Sequence, residues 1–341
     1  MEGSHLRPIE PPVDVPEIQR GNWLALPARD PVVAYVAETL WDGPQPSMAW
    51  ELARLSSAAH VYRERASDWA AVAKFYAVKA GSSAHKYAAS ELDCIHQVQA
   101  LGLADDDHRA VDPLALWRGV LFLEYVPGLT LESIIAVRHS QPGLLTEALE
   151  RAARFLAELH VHGLREGEQP DFEASLRYAH EVVEELGRYG VLQDDPLTRE
   201  GITCLIDRWA ARPGMDDYRA TLTHGDATTT NFVFPSNGGV VVVDWERLYP
   251  GDPAFDLGRL MAEVTHSIDQ HGGSVAEAQP FVEHLTHAYR EALPKGWHAD
   301  SLVRRARFYR ASSTLRIARN GWVSRLDRTA LVAQAMALLA G

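Results

Sequence analysis

The chain has little lysine: only four of its 33 basic residues are lysines, and the other 29 are arginines. It has two cysteines, Cys94 and Cys204, in unrelated segments without metal spacing. That excludes a disulfide framework and points to free thiols in a reducing cytoplasm. No run approaches the roughly 18 apolar residues of a membrane span, and the Pro-rich amino terminus lacks the charged-then-apolar order of a signal peptide. Bases are too few for the acids. A net charge of −13 argues against nucleic acid or an anionic membrane as the main partner. The rest is ordinary for a soluble globular chain: 341 residues, 46% apolar and 23% charged, are enough for two packed lobes.

The acidic excess is uneven. Residues 1–125 carry a net −6 and residues 126–341 a net −7. Within the second part, residues 166–195 hold nine acids against only Arg177 and Arg188, again −7. One helical segment accounts for the whole net charge of the carboxy-terminal part.

The strongest chemical pattern is His224-Gly225-Asp226, with Asn231 five residues after the aspartate and Asp244-Trp245-Glu246 following. An Asp that orients an attacking hydroxyl and an Asn five residues on that holds Mg²⁺ is the spacing of a phosphoryl-transfer loop. Residues 231–234 read as a strand, 235–239 as a turn and 240–244 as a buried strand. Folding this hairpin sets Asn231 almost opposite Asp244, with Cβ atoms roughly 5 Å apart. An amide oxygen and a carboxylate at that separation share a metal. Asp226 is thus the candidate catalytic group, and Asn231 and Asp244 the candidate Mg²⁺ ligands. Beyond them, Asp252 and Asp256 open an apolar helix as first-turn or capping carboxylates that orient the loop. His224 reads as a hydrogen-bonding support and Trp245 as packing behind the metal loop, with Glu246 supporting.

Upstream, residues 49–55 read as a strand, 56–60 as a loop, 61–63 as the start of a return strand and 69–76 as a third. A helix follows over 84–101, with Leu92, Ile95 and Val98 at helical spacing. Lys74 ends an apolar strand in a chain that otherwise uses arginine, which marks it as a compact charge for nucleotide phosphates. Glu91 on the helix is its expected partner carboxylate, and Lys79 is the competing lysine. The loop at 56–60 contains no glycine, so it departs from a glycine-rich phosphate cover. The hydroxyls and amides of Ser56 and Ser57 are the substitute donors.

Taken together, His224-Gly225-Asp226-x4-Asn231, Asp244-Trp245-Glu246 and Asp252-Pro253-x2-Asp256-Leu257 resemble the aminoglycoside phosphotransferase/choline kinase family, small-molecule relatives of protein kinases. The resemblance covers roughly residues 49–340. It implies an α+β, bilobal protein-kinase-like fold with a small antiparallel-sheet N-lobe and a larger, mainly helical C-lobe. The expected divisions are an N-terminal extension over 1–45, a nucleotide-binding lobe over 46–125 and a catalytic, acceptor-binding lobe over 126–341. It implies ATP or GTP as co-substrate, with adenine against backbone groups from Glu124 to Val126. His160, within Leu159-His160-x2-Gly163, reads as a packing residue. His160 and His162, two apart, do not share a helix face. The family's acidic insert implies that residues 166–195 bind ammonium groups of the acceptor, although a solvated face balancing the Arg-rich tail explains the same charge.

The acceptor class stays open. Residues 247–251 leave no room for a protein-substrate platform, so a small hydroxylated molecule is expected. An amine-bearing one, such as an aminoglycoside antibiotic, fits the acidic segment and would make the enzyme a resistance factor. A neutral sugar, an amino alcohol or a homoserine-like metabolite are the alternatives. A choline-like acceptor calls for an aromatic cage, for which Tyr178, Tyr189 and Trp322 are the candidates. Outside enzymes of this class stand a nucleotide-binding pseudokinase and an AMP-transferring module.

Overall fold

The computed structural model describes residues 9–10, 17–18, 22–27, 29–41, 49–67, 69–105, 108–141 and 143–341, apart from the side chains of Lys79 and Tyr189. Two compact units are present: residues 1–100 with 110–127, and residues 101–109 with 128–341.

Up to residue 127 the strands are β1 (Leu24–Leu26), β2 (Trp50–Arg54), β3 (Ala59–Glu64), β4 (Ala70–Phe75), β5 (His108–Ala110), β6 (Pro113–Trp117) and β7 (Val120–Glu124). The helices are α1 (Pro31–Thr39), α2 (Ala77–Ala80) and α3 (Ala84–Gln99). The first unit is built on a six-stranded sheet in the order β1-β2-β3-β4-β7-β6, antiparallel throughout. Alternation along β4 decides which side chains face which layer. Ala73 and Phe75 join Trp50, Leu52, Tyr62, Val120 and Phe122 in one buried cluster. Lys74, between them, faces the other way.

The covering layer for that cluster comes from the N-terminal extension. Val32, Val33 and Val36 of α1 complete the core, and β1 pairs antiparallel with β2. Asp30 caps α1 by accepting from the amides of Val32 and Val33, and Pro31 takes the first helical position, where no amide partner is needed. Trp41, Trp50 and Trp69 meet edge to face beside this layer.

The second unit continues with β8 (Gly128–Thr130), α4 (Leu131–Ala136), α5 (Leu144–His162), α6 (Phe172–Tyr189), α7 (Pro196–Ala210), β9 (Thr221–Thr223), β10 (Phe232–Pro235), β11 (Val240–Val242) and β12 (Tyr249–Gly251). It closes with α8 (Ala254–Gln270), α9 (Val275–Ala292), α10 (Ala299–Arg319) and α11 (Arg325–Ala340). Helices α8 and α10 pack closely, and α9 lies against α5 and α8. Their approach depends on Gly258, where a Cβ would sit 2.6 Å from that of Tyr309 and 2.5 Å from the Ala306 carbonyl oxygen. The small strands frame the loop after β9: β10 pairs with β11 and β8, and β12 pairs with β9. This is the α+β, bilobal kinase-like fold expected from the sequence.

The hairpin forms as read, with a shorter second strand. Phe232 pairs with Val242 and Val233 with Val241, so Asn231 stands opposite Val243, whose amide donates to the Asn231 carbonyl oxygen at 3.0 Å. The strand ends at Val242. Asp244 then takes left-handed backbone angles (φ 67°, ψ 61°) and starts a 3-10 turn over Trp245–Arg247. An aspartate held there is uncommon outside turns and functional sites.

Candidate active site

In the first unit, β4 presents Lys74 and α3 presents Glu91. Nζ of Lys74 lies 2.6 Å from Oε2 of Glu91, and the Glu91 side chain is fully buried. A buried carboxylate is tolerable only when paired, so α3 and β4 hold each other in register through this contact. The turn before β3 is closed by Ser56, whose hydroxyl oxygen accepts from the amides of Ala58 and Ala59. Its amide donates to the Ala59 carbonyl oxygen. Ser56 therefore shapes the loop with most of its polar capacity, while Ser57 is exposed. Glu124 ends β7 with its carboxylate accepting from the Asp112 amide at 2.8 Å, and Val126 follows in the irregular stretch leading out of the unit.

In the second unit, the residues singled out in sequence gather around one loop. Gly225 has φ +78°, and a Cβ there would collide with the Arg247 carbonyl oxygen, so the turn between His224 and Asp226 requires glycine. Asp256, at the start of α8 and fully buried, accepts from the amides of His224 at 2.7 Å and Gly225 at 3.0 Å. His160 of α5 stands behind it, 3.0 Å from the same carboxylate and 2.7 Å from the Tyr289 hydroxyl. The packing histidine is thus a buried strut for the loop. His162, partly exposed two residues on, is not part of this arrangement.

His224 closes the loop from inside. Its Nδ1 accepts from the Asp226 amide, and its Nε2 donates to the Val243 carbonyl oxygen at 3.0 Å, which fixes the tautomer. Trp245, fully buried, packs its ring 4.5 Å from that of His224 and donates to the Val242 carbonyl oxygen. Asn231 donates through Nδ2 to the Asp226 carbonyl oxygen at 2.9 Å, so its amide oxygen is the end turned to other partners. Glu132 of α4 braces the far side by accepting from the hydroxyls of Thr229 and Ser267. Burial works against the charged form of Glu132, but hydrogen bonds from Ser267, Thr229 and His271 outweigh it and hold the carboxyl below its usual range. Asp252 accepts from the Ala254 amide and pairs through both oxygens with Arg305, at 2.7 and 3.1 Å, both side chains buried.

The Asp226 carboxylate has company that the sequence reading missed. Arg259 of α8 approaches Oδ1 at 3.3 Å and Arg316 of α10 at 3.1 Å, while Arg247 lies 3.6 Å from Oδ2. The Arg259 side chain is 6% exposed, also contacts Glu263 at 2.8 Å, and has its guanidinium pushed below the ordinary value by burial. Its Nε and Nη1 have no hydrogen-bond partner among the described residues. One clue was available: Arg259 falls three residues after Asp256, on the same side of a helix.

A cavity of about 490 Å³ opens beside this loop in the second unit, walled by Tyr178, Tyr218, Tyr249 and Phe255; Gly225, Arg247 and Arg316 also line it, whereas Asp226 does not. Of the nine acids in residues 166–195, only Glu168 and Asp171 line it. Others are engaged elsewhere: Glu185 pairs with Arg319 at 2.7 Å, and Asp195 caps α7. Of the proposed cage aromatics, Tyr178 lines the cavity, Trp322 is exposed near His266 and is not among the lining residues, and the side chain of Tyr189 lies outside the described residues. The Lys79 side chain likewise lies outside them.

A glycine-turned aspartate loop braced from a following helix, with a Lys–Glu pair on a separate antiparallel sheet, defines a kinase-like phosphotransferase. The chain belongs to the phosphotransferase enzyme family, whose model matches residues 51–307, and is a small-molecule kinase. A comparison with curated proteins gives no sequence match. Among solved structures, the streptomycin–ATP ternary complex of APH(2")-IIa is similar with TM-score 0.58 and 14% identity, over 91% of this chain and 97% of that one. Choline kinase LicA from Streptococcus pneumoniae aligns with TM-score 0.52 and 15% identity, over 84% and 92%. Macrolide 2'-phosphotransferase MphH from Brachybacterium faecium gives 0.50 and 17%, over 85% and 91%. At these identities the likeness is one of fold. No helix among the described residues is long and apolar enough to cross a membrane.

Proposed function

We propose that the protein transfers the γ-phosphoryl group of ATP or GTP to a hydroxyl of a small molecule, with Asp226 as the group that orients the hydroxyl and takes its proton. The observation that carries this is the bracing of the 224–226 loop by Asp256, which spends a buried carboxylate on holding two backbone amides. Such rigidity suits a reaction governed by positioning and electrostatics. Lys74, steadied by Glu91, is the contact for nucleotide phosphates, with Ser57 and the backbone near Glu124 and Val126 completing the nucleotide side.

Asn231 and Asp244 fit Mg²⁺ by donor type, an amide oxygen and a carboxylate. The Nδ2 bond to the Asp226 carbonyl oxygen leaves the Asn231 oxygen, approached by the Thr230 hydroxyl at 3.5 Å, as the ligand atom. Bound there, the ion would neutralise phosphate charge during transfer. Glu246 supports from the same turn, and His224, Asp252 and Asp256 keep the loop's shape.

For the acceptor, an aminoglycoside has less support than a hydroxylated molecule with few ammonium groups. The acidic segment places only two carboxylates on the cavity, and three guanidiniums surround Asp226. The intact Asp226, Asn231 and Asp244 support a phosphotransferase over a pseudokinase. The test is release of nucleoside diphosphate from ATP and from GTP across a broad panel of hydroxyl compounds, with Mg²⁺ titrated against the wild type and Asp244→Ala. A rise of tenfold or more, roughly, in the Mg²⁺ needed by the variant is expected. An unchanged titration removes Asp244 as a ligand.

A further inference from the structure

We infer that the acceptor carries an anionic group close to the hydroxyl that is phosphorylated, and that Arg316 and Arg247 bind it; this rests on the assignment of Asp226 as the hydroxyl-orienting residue. Three guanidiniums converge on one carboxylate: Arg316 at 3.1 Å, Arg259 at 3.3 Å and Arg247 at 3.6 Å. Glu263 balances one of them through its 2.8 Å contact with Arg259. With Asp226 that leaves one excess positive charge beside the cavity, which Arg316 and Arg247 line.

Two of the three acids that line the cavity are engaged elsewhere. Asp252 is already matched by Arg305 through both oxygens. Asp171 caps α6 by accepting from the Ala174 amide and lies 3.7 Å from Arg177. Glu168, the third, opposes the excess, so the anion-binding charge is that of Arg316 and Arg247 beside Asp226 and not of the cavity as a whole. A second observation points the same way. Arg259 is nearly enclosed, yet its Nε and Nη1 find no hydrogen-bond partner among the described residues. Unsatisfied donors on a buried cation are costly, and they add to the demand for negative charge near Asp226, although Arg259 is not itself among the residues that line the cavity.

The two binding residues differ in a useful way. Arg316 lines the cavity with its side chain 15% exposed, whereas the Arg247 side chain is 54% exposed. Arg316 is therefore the desolvated contact, where a charged hydrogen bond is strong, and Arg247 the adaptable one at the mouth. A guanidinium matches a carboxylate or a phosphate by the same two-pronged geometry. Tyr178, Tyr218, Tyr249 and Phe255 supply the apolar walls for the body of the molecule. A polycation would meet guanidiniums where its hydroxyl has to sit. The reaction stays balanced as a phosphotransferase step: the acceptor O–H loses its proton to Asp226, the oxygen bonds phosphorus, and the bond to the nucleoside diphosphate breaks.

The experiment uses the full chain with ATP, GTP and Mg²⁺. It compares glycolate and 3-hydroxypropanoate with their amides, with 3-aminopropan-1-ol and with glycerol 3-phosphate. Phosphorylated product is read directly. The carboxylates or the phosphate are expected to exceed the matched amides and amine in kcat/KM by roughly ten- to a hundredfold, and which of them wins identifies the anion. Arg316→Gln should remove the preference by raising KM for anions more than for amides. Arg247→Gln, at the exposed residue, should reduce it in part and serves where the first variant does not fold. Equal or better use of the amine or amides, lost in Asp226→Asn, overturns the anion inference and leaves the phosphotransferase reading standing. Product formation that survives in Asp226→Asn, or none with any acceptor, overturns both.

Discussion

The pair in the first unit and the cluster in the second treat buried charge in opposite ways. Lys74 and Glu91 join one cation to one anion at 2.6 Å, across a strand and a helix. Asp226 draws cations from three places, α8, α10 and the turn after Asp244. The Lys74–Glu91 contact ties a strand to a helix and keeps a lysine in place. A carboxylate outnumbered by guanidiniums is a site whose charge is completed from outside. The same physics of desolvation thus separates a fixed support from a receptive surface.

The largest expected effect tests the matched pair. Lys74→Met removes the 2.6 Å contact to the buried Glu91 carboxylate and should lower stability by up to about 3–5 kcal/mol. The double variant Lys74→Met/Glu91→Leu should regain most of that loss in urea denaturation while nucleotide binding stays absent. Recovery of binding in the double variant would remove Lys74 from the nucleotide side.

Charge exclusion in the first unit gives a second comparison. His60 is buried beside Arg54, and burial first, then the Arg54 charge, lowers its pKa from 6.5 to about 4. The folded form therefore binds fewer protons than the unfolded one. Its contribution is complete above pH 6.5 and is lost as pH falls toward 4. Between pH 6.5 and 5 the wild type should lose about 2 kcal/mol more than His60→Gln; parallel curves would contradict this.

Asp256→Asn replaces an acceptor of two amides with a group that accepts one, and should cost about 1–3 kcal/mol. It should lower kcat more than it changes nucleotide affinity. Glu185→Gln, on the acidic segment, should change stability by less than about 1 kcal/mol, because its pair with Arg319 is partly exposed. Acceptor KM should be unchanged; a large rise would return the acidic helix to the acceptor site.

Local pattern carried much of this arrangement. An apolar strand over 69–76 and the scarcity of lysine located Lys74, the helix over 84–101 located Glu91, and strand–turn–strand punctuation located the hairpin. The second strand ends two residues before the 244 read from its apolar run, because the chain leaves it at Val242 and turns left-handed at Asp244, a change that β-type spacing does not anticipate. The role of the extension was signalled by Asp30-Pro31 before Val32, Val33 and Val36, a capped amphipathic helix that a motif search passes over. The arginines around Asp226 were out of reach for a different reason. Arg316 is 90 residues away and comes to the site through the packing of α10 on α8, which depends on a glycine at 258. In a chain with 29 arginines, composition gives no reason to select those three.

The most direct test of the central claim is turnover of Asp226→Asn against a confirmed acceptor, measured beside its nucleotide Kd. The arrangement predicts a fall in kcat of about 10²–10⁴ with nucleotide affinity near that of the wild type. Turnover equal to the wild type would contradict it.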